Sequence, residues 1–197
     1  MKKKLLPCLA VALFTVAGAS AQKFDTTIKM NSEGYHITAA NKNVDDNNIS
    51  IDPVKLNFSN SRTLNFPVKG LVTKAAIDDL NDDGQPDFII CFYNGANGAI
   101  GNVIGATYAK DDKTIKPIVL PDIYSDPKLR DGYKGHDVFS LVIGTLLRKF
   151  PIYLPNDAPD KPTGGLRTVQ YKAQPGEGGY LTFKVLRTFE TKPEDQN

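Results

Sequence analysis

Hydrophobic residues recur along this chain in short runs separated by turn-forming residues, and the longest such unit spans 75–108. It reads as an acidic stretch (Ala-Ala-Ile-Asp-Asp-Leu-Asn-Asp-Asp-Gly-Gln-Pro-Asp), then Phe88-Ile89-Ile90-Cys91-Phe92-Tyr93, then a glycine-rich stretch, then a second β-prone run over 102–108. The run 88–93 has no polar position, is too short for a buried helix and is rich in aromatic and β-branched residues. This predicts a strand buried on both faces. Two loops at the ends of such a strand stand on a rigid platform, where binding residues concentrate.

Alternation elsewhere predicts further strands over 24–29, 35–39, 49–58, 62–66, 114–120, 138–143, 146–154, 166–172 and 180–190, while 68–77 leads into the acidic stretch with an interruption at Gly70. Pro53 and Pro117 demote their strands toward sheet edges. Gly144-Thr145 between two apolar runs predicts a type II′ hairpin turn. One helical turn is expected near 126–130, and no stretch has a long amphipathic helical period. The expected class is all-β, an antiparallel β-sandwich forming one domain over 22–190, with a polar tail over 191–197.

The first 21 residues stand apart. Lys2, Lys3 and Lys4 precede an apolar run over 5–17 and the small-residue site Ala19-Ser20-Ala21. This is the pattern of a secretory signal peptide cleaved before Gln22, so a periplasmic or secreted location is expected. Cys8 lies inside the apolar run with no small residues before it, which argues against a lipid anchor.

Cleavage changes the charge. The whole chain carries 24 basic and 22 acidic residues; without the three leader lysines, 21 face 22. A near-neutral mature chain has no electrostatic case for nucleic acid or an anionic membrane as partner. The one cysteine left, Cys91, has no intramolecular partner and reads as a small core hydrophobe.

Three stretches carry candidate chemistry. Asp79-x-Asn81-x-Asp83-Gly84-Gln85-Pro86-Asp87 has the oxygen spacing of a calcium loop, with Asp79, Asn81, Asp83 and Asp87 offering side-chain oxygens and Gln85 a backbone carbonyl. Position twelve is Ile90 rather than glutamate, so it is not an EF-hand; a metal-free turn capped by the same side chains is the alternative. A calcium ion held there would be structural. The stretch 94–101 carries Gly95, Gly98 and Gly101, which let backbone approach a partner closely; without a following lysine and helix it is not a phosphate loop, and composition alone reads it as a hairpin connection. Gly135-His136-Asp137 would serve acid–base chemistry only in a pocket, and no nucleophile stands in an obvious relation to it. The expectation is that the chain is not an enzyme and requires no cofactor.

The second half carries an ordered set of motifs: Ser125-Asp126-Pro127-Lys128, Gly132-Tyr133-Lys134-Gly135-His136-Asp137, Leu147-Arg148-Lys149-Phe150-Pro151-Ile152-Tyr153-Leu154, Lys161-Pro162-Thr163-Gly164-Gly165-x-Arg167 and Gln170-Tyr171-Lys172-x-x-Pro175-Gly176-Glu177. With Asp79-Leu80-Asn81-x-Asp83-Gly84 before them, they resemble PliI, the periplasmic inhibitors of invertebrate-type lysozyme, over well more than half of the mature chain. The resemblance implies a secreted β-sandwich, commonly a homodimer, that inserts a loop into a lysozyme cleft. The family's inhibitory loop reads S-G-x-Y followed by glycine. The corresponding residues here are Asn97-Gly98-Ala99-Ile100-Gly101, in which the glycines match while Asn97 and Ile100 stand for the serine and tyrosine. A hydrogen bond to a charged group contributes roughly 1.5–3 kcal/mol, so losing the tyrosine hydroxyl costs on the order of tenfold to a hundredfold in affinity, part of which the Asn97 amide can recover. The resemblance therefore implies a binding loop of Gly95, Asn97, Gly98, Ala99, Ile100 and Gly101 and a lysozyme, invertebrate-type or other, as protein partner. The alternative is a calcium-stabilised envelope or extracellular β module with a different partner.

Overall fold

The computed structural model describes residues 22–59, 63–96 and 99–192. The expected signal peptide, the end of the tail (193–197), Asn97 and Gly98 lie outside the described residues.

The chain folds as all-β, with two packed sheets. Strands β1 (Phe24–Met30), β2 (Glu33–Ala39), β3 (Asn47–Val54) and β4 (Leu64–Val68) form an antiparallel sheet in that order. The second sheet has the order β5 (Leu71–Asp78), β6 (Asp87–Asn94), β7 (Ile100–Ala109), β8 (Thr114–Val119), β12 (Leu181–Thr191), β11 (Leu166–Pro175), β10 (Leu146–Pro151), β9 (Val138–Leu141). Its neighbours are antiparallel except β8 and β12, which pair in parallel at Leu181↔Ile118 and Thr182↔Val119 alone.

The eight-stranded sheet curls into a nearly closed barrel. No ladder joins its outer strands β5 and β9; side chains close the seam instead. Lys74 Nζ donates to Phe139 O at 3.1 Å, and Gly144 N–H donates to Asp78 Oδ2 at 2.8 Å. Lys172 Nζ, on β11, reaches both Gly144 O and Asp82.

Strand β6 explains why the run 88–93 is wholly apolar. Successive side chains of a strand face opposite ways. Phe88 and Ile90 face the four-stranded sheet, packing with Tyr35, Ile37, Ile49 and Ile51, while Ile89 and Cys91 face the barrel interior with Phe139, Phe150 and Phe183. Phe88 meets Tyr35 edge-on at 4.5 Å. Full burial of such a side chain contributes about 1.5–3 kcal/mol, and β6 contributes to both cores at once.

Several local expectations are corrected. The β9–β10 turn is centred on Ile143-Gly144, not Gly144-Thr145. Both central residues have positive φ (44° and 64°), and Val142 and Thr145 exchange backbone hydrogen bonds, so the turn is type I′ rather than II′. β10 ends at Pro151 and β3 at Val54, short of the predicted 154 and 58. Pro53 sits in a strand with neighbours on both sides, but β4 pairs only with 47–51, so the missing N–H falls past the covered stretch. Ile100 and Gly101 belong to β7, paired with Asn94 and Tyr93, so the glycine-rich loop is narrowed to 95–99. The helical turn near 126–130 is α1 (Pro127–Arg130), capped by the Asp126 side chain with Pro127 in its first turn.

Candidate functional site

The β6–β7 hairpin tip stands over a buried polar network at one end of the barrel. On β10, Leu146 and Phe150 point into the core, so Arg148, two residues from each, must point there too. Its side chain is only 5% exposed. A buried guanidinium needs a counter-ion and acceptors, and Asp137 supplies them: Arg148 Nε donates to Asp137 Oδ1 at 2.7 Å. Tyr133 OH donates to Asp137 Oδ2 at 2.6 Å and accepts from Arg148 at 2.8 Å. The guanidinium also lies over the rings of Tyr133 and Phe139 at 5.1 and 5.5 Å.

Burial works against the charge on Arg148, but the Asp137 carboxylate outweighs it and holds the guanidinium above its usual range. Burial likewise raises the phenol of Tyr133 and pushes that of Tyr93 up to about 12.

The network grips the hairpin. The Asp137 carboxylate accepts a third hydrogen bond, at Oδ2, from Gly101 N–H at 2.9 Å. One residue earlier, His136 N–H donates to Ala99 O at 2.5 Å. The two bonds pinch the returning limb of the hairpin from one side. Two glycines make the approach possible. A Cβ on Gly101 would stand 2.6 Å from Asp137 Cβ and 2.8 Å from the Phe139 ring; one on Gly135, whose φ is +90°, would stand 2.5 Å from Ala99 O. At the tip, Ala99 N–H donates to Ala96 O at 3.1 Å.

Of the binding-loop residues expected from the sequence, Gly95 is exposed and Ala99 partly so, while Asn97 and Gly98 lie outside the described residues. Gly101 is buried in the clamp. Ile100 is half-buried between Gly95 and Gly135 and closes one wall of a cleft of about 450 Å³ beside the hairpin, which Asn94, Asn102, Asp122, Tyr124 and Arg148 also line. Sequence reasoning did not single out Arg148 as a positioning group. The signal was its parity with Leu146 and Phe150.

His136 and Asp137 do not meet as an acid–base pair. His136 is exposed and lies near the Tyr153 ring at 6.2 Å, whereas Asp137 is buried and saturated by Arg148, Tyr133 and Gly101. Cys91 is 1% exposed, and burial pushes its thiol up to about 12.

The acidic turn lies at the other end of β6. Asp79 accepts from Asp83 N–H (3.0 Å) and Gly84 N–H (2.8 Å); Asn81 Oδ1 also accepts from Asp83 N–H (3.1 Å); Asp83 Oδ1 accepts from Gln85 N–H (2.8 Å). Gly84, at φ +76°, permits the reversal. Asp87 is fully buried at the start of β6. Its Oδ2 accepts from Leu80 N–H at 2.8 Å, and its Oδ1 has no hydrogen-bond partner among the described residues. Burial, reinforced by Asp83 and Asp79, pushes its carboxyl up to about 6 against the opposing influence of the Thr107 hydroxyl and the Leu80 N–H. Among the described residues, no three His, Cys, Asp or Glu side chains form a ready-made metal cluster, and no helix is long and apolar enough to cross a membrane.

No protein-family model matches the chain, and no curated protein matches it.

Proposed function

We propose that this chain is an exported binding protein of the kind its motifs resemble, a PliI-like lysozyme inhibitor that presents the hairpin tip 95–99 to a lysozyme cleft. The observation that carries the reading is the clamp beneath that tip. Tyr133, Gly135, Asp137 and Arg148 come from motifs that prompted the resemblance, and they converge on the base of the one loop the resemblance makes inhibitory. A hairpin base held by two backbone anchors, at Ala99 and Gly101, loses little conformational freedom on docking, and that preorganisation favours affinity without added contact area. With Ile100 turned against Gly95 and Gly135, the amide that Asn97 carries in place of the family's serine is the donor this reading assigns to a partner's carboxylates.

The test is inhibition of purified invertebrate-type lysozyme by the chain from Gln22 onward, with chicken-type and goose-type enzymes alongside. A variant in which 95–99 is replaced by Asn-Gly is compared at each step, and sedimentation gives the oligomeric state against the homodimer that the resemblance implies. Inhibition of one lysozyme type, lost in the shortened variant while its melting temperature stays within a few degrees, is the expected result. Inhibition that survives the shortening overturns the role of the tip. No inhibition of any type overturns the lysozyme as target.

A further inference from the structure

The hydrogen bonds of Asp79, Asn81 and Asp83 onto their own backbone account for an Asx-rich turn and by themselves call for no ligand. Asp87 is different. It is 0% exposed, and Oδ1 is the one buried side-chain polar atom among the described residues without a partner. Its carboxyl lies beneath the turn. Oδ2 holds the N–H of Leu80, inside the turn; the Thr107 hydroxyl, which accepts from Asn81 Nδ2 at 3.2 Å, lies beside the carboxyl and favours its charged form, and Oδ1 still has no hydrogen-bond partner among the described residues. The carboxylates of Asp83 and Asp79 add their like charge to the burial of Asp87, and the cation that reaches this turn, Lys172, is held by Asp82 at 3.0 Å. A buried carboxylate oxygen without a donor, facing two like charges, is unfavourable as it stands. A hard cation meets both needs at once.

We propose that the turn 79–87 binds one calcium-sized divalent cation, with Asp87 Oδ1 as its innermost ligand and the side-chain oxygens of Asp79, Asn81 and Asp83 and the carbonyl of Gln85 completing the set. Three acidic groups need not be preassembled for this ion, because calcium takes six to eight oxygens and accepts amide and backbone carbonyls and water among them. Asp79 and Asp83 need only turn part-way from the N–H groups they cap, both being at or near the surface. The set offers no nitrogen or sulfur, which disfavours zinc, and its flexible, mixed oxygens suit calcium better than the strict octahedron of magnesium. Bound there, the ion ties the end of β5 to the start of β6 beside the barrel seam, at the opposite end of β6 from the hairpin tip. The inference is independent of what the tip binds.

Chelator-treated protein at pH 7.5 is titrated with CaCl2, MgCl2 or NaCl of equal ionic strength, with melting temperature and equilibrium dialysis of radioactive calcium as readouts. The expected result is one calcium per chain and a saturable rise of roughly 5–10 °C at a hundredfold excess over Kd, with little response to the other salts. Asp87→Asn removes binding and rise together, yet melts no lower than wild type in chelator, since the amide removes the buried charge. Asp83→Asn, at an exposed position, weakens binding while folding normally, and decides the matter should Asp87→Asn not fold. Absence of bound calcium at roughly millimolar concentration, where extracellular calcium modules saturate, overturns the proposal. So does a calcium response that NaCl or both variants reproduce.

Discussion

Replacing Asp137 by asparagine keeps the shape of the clamp and removes its charge. The carboxylate accepts from Arg148, Tyr133 and Gly101, and both its oxygens are used. The amide keeps one accepting oxygen and turns an NH2 group toward donors. Arg148, 5% exposed, is left with its charge and without its counter-ion. Breaking a buried pair in this way costs about 3–5 kcal/mol, a large part of the roughly 5–15 kcal/mol that holds a domain together. At about 2–4 °C per kcal/mol for a domain of this size, the melting temperature should fall by roughly 6–20 °C. The double variant Asp137→Asn/Arg148→Met should lie well above the additive value, because the second change removes the stranded charge. Urea titration measures the stability of all four proteins. Hydrogen exchange at the Gly101 amide reports on the hairpin base, where protection should drop further than the global loss explains. A single variant that loses less than about 1 kcal/mol, or a double variant that is merely additive, would refute the view that this pair is what holds the clamp.

Other outcomes are equally specific. Gly135→Ala places a Cβ against Ala99 O at a φ of +90°, so it should destabilise by more than about 1 kcal/mol and lower inhibition, read by denaturation and enzyme assay. Ile143 is 93% exposed at a φ of 44°; Ile143→Asn should raise stability by about 1 kcal/mol by relieving a β-branched residue in the left-handed region, and an unchanged or lower melting temperature would count against that turn geometry. Cys91 should react with Ellman's reagent only at the rate of opening, so labelling in denaturant should track global unfolding. In chelator-containing buffer, Asp87 gives a pH dependence of definite sign. Its folded carboxyl, at about 6 against an ordinary 3.8, holds its proton more tightly than the unfolded one. Stability should therefore fall as pH rises from about 4 to about 6, by up to about 3 kcal/mol, and level off above; wild type compared with Asp87→Asn isolates this contribution.

What could be read in the sequence followed from local pattern. The unbroken apolar run of β6 announced burial on both faces, and the helical turn expected near 126–130 is α1. The division into two sheets could not be read, because the alternation of a strand says which of its faces is buried and not which strands it pairs with; long-range pairing alone assigns 24–68 to one sheet and 71–191 to the other. The clamp was equally hidden. Asp137 reaches Gly101 across 36 residues and Arg148 across 11, and no local spacing encodes those distances. The turn at Ile143 was misplaced because glycine was put first in a two-residue loop, whereas the flanking strands set the register one residue earlier and forced an isoleucine into positive φ.

Strand β6 serves two cores, and this has a consequence for the order in which the molecule can assemble. The four strands over 24–68 leave the ribosome first and can pair with one another locally. Their inner face, Tyr35, Ile37, Ile49 and Ile51, is covered by Phe88 and Ile90 of β6 together with Val72, Ala106 and Tyr108 of its neighbours, all of them synthesised later. Until β6 arrives, that sheet is an uncovered apolar layer with no reason to persist, and once β6 is seated the same strand is committed to the barrel interior through Ile89 and Cys91. Docking of the small sheet and closure of the barrel therefore become one event, and the two sheets should form and melt together rather than in sequence.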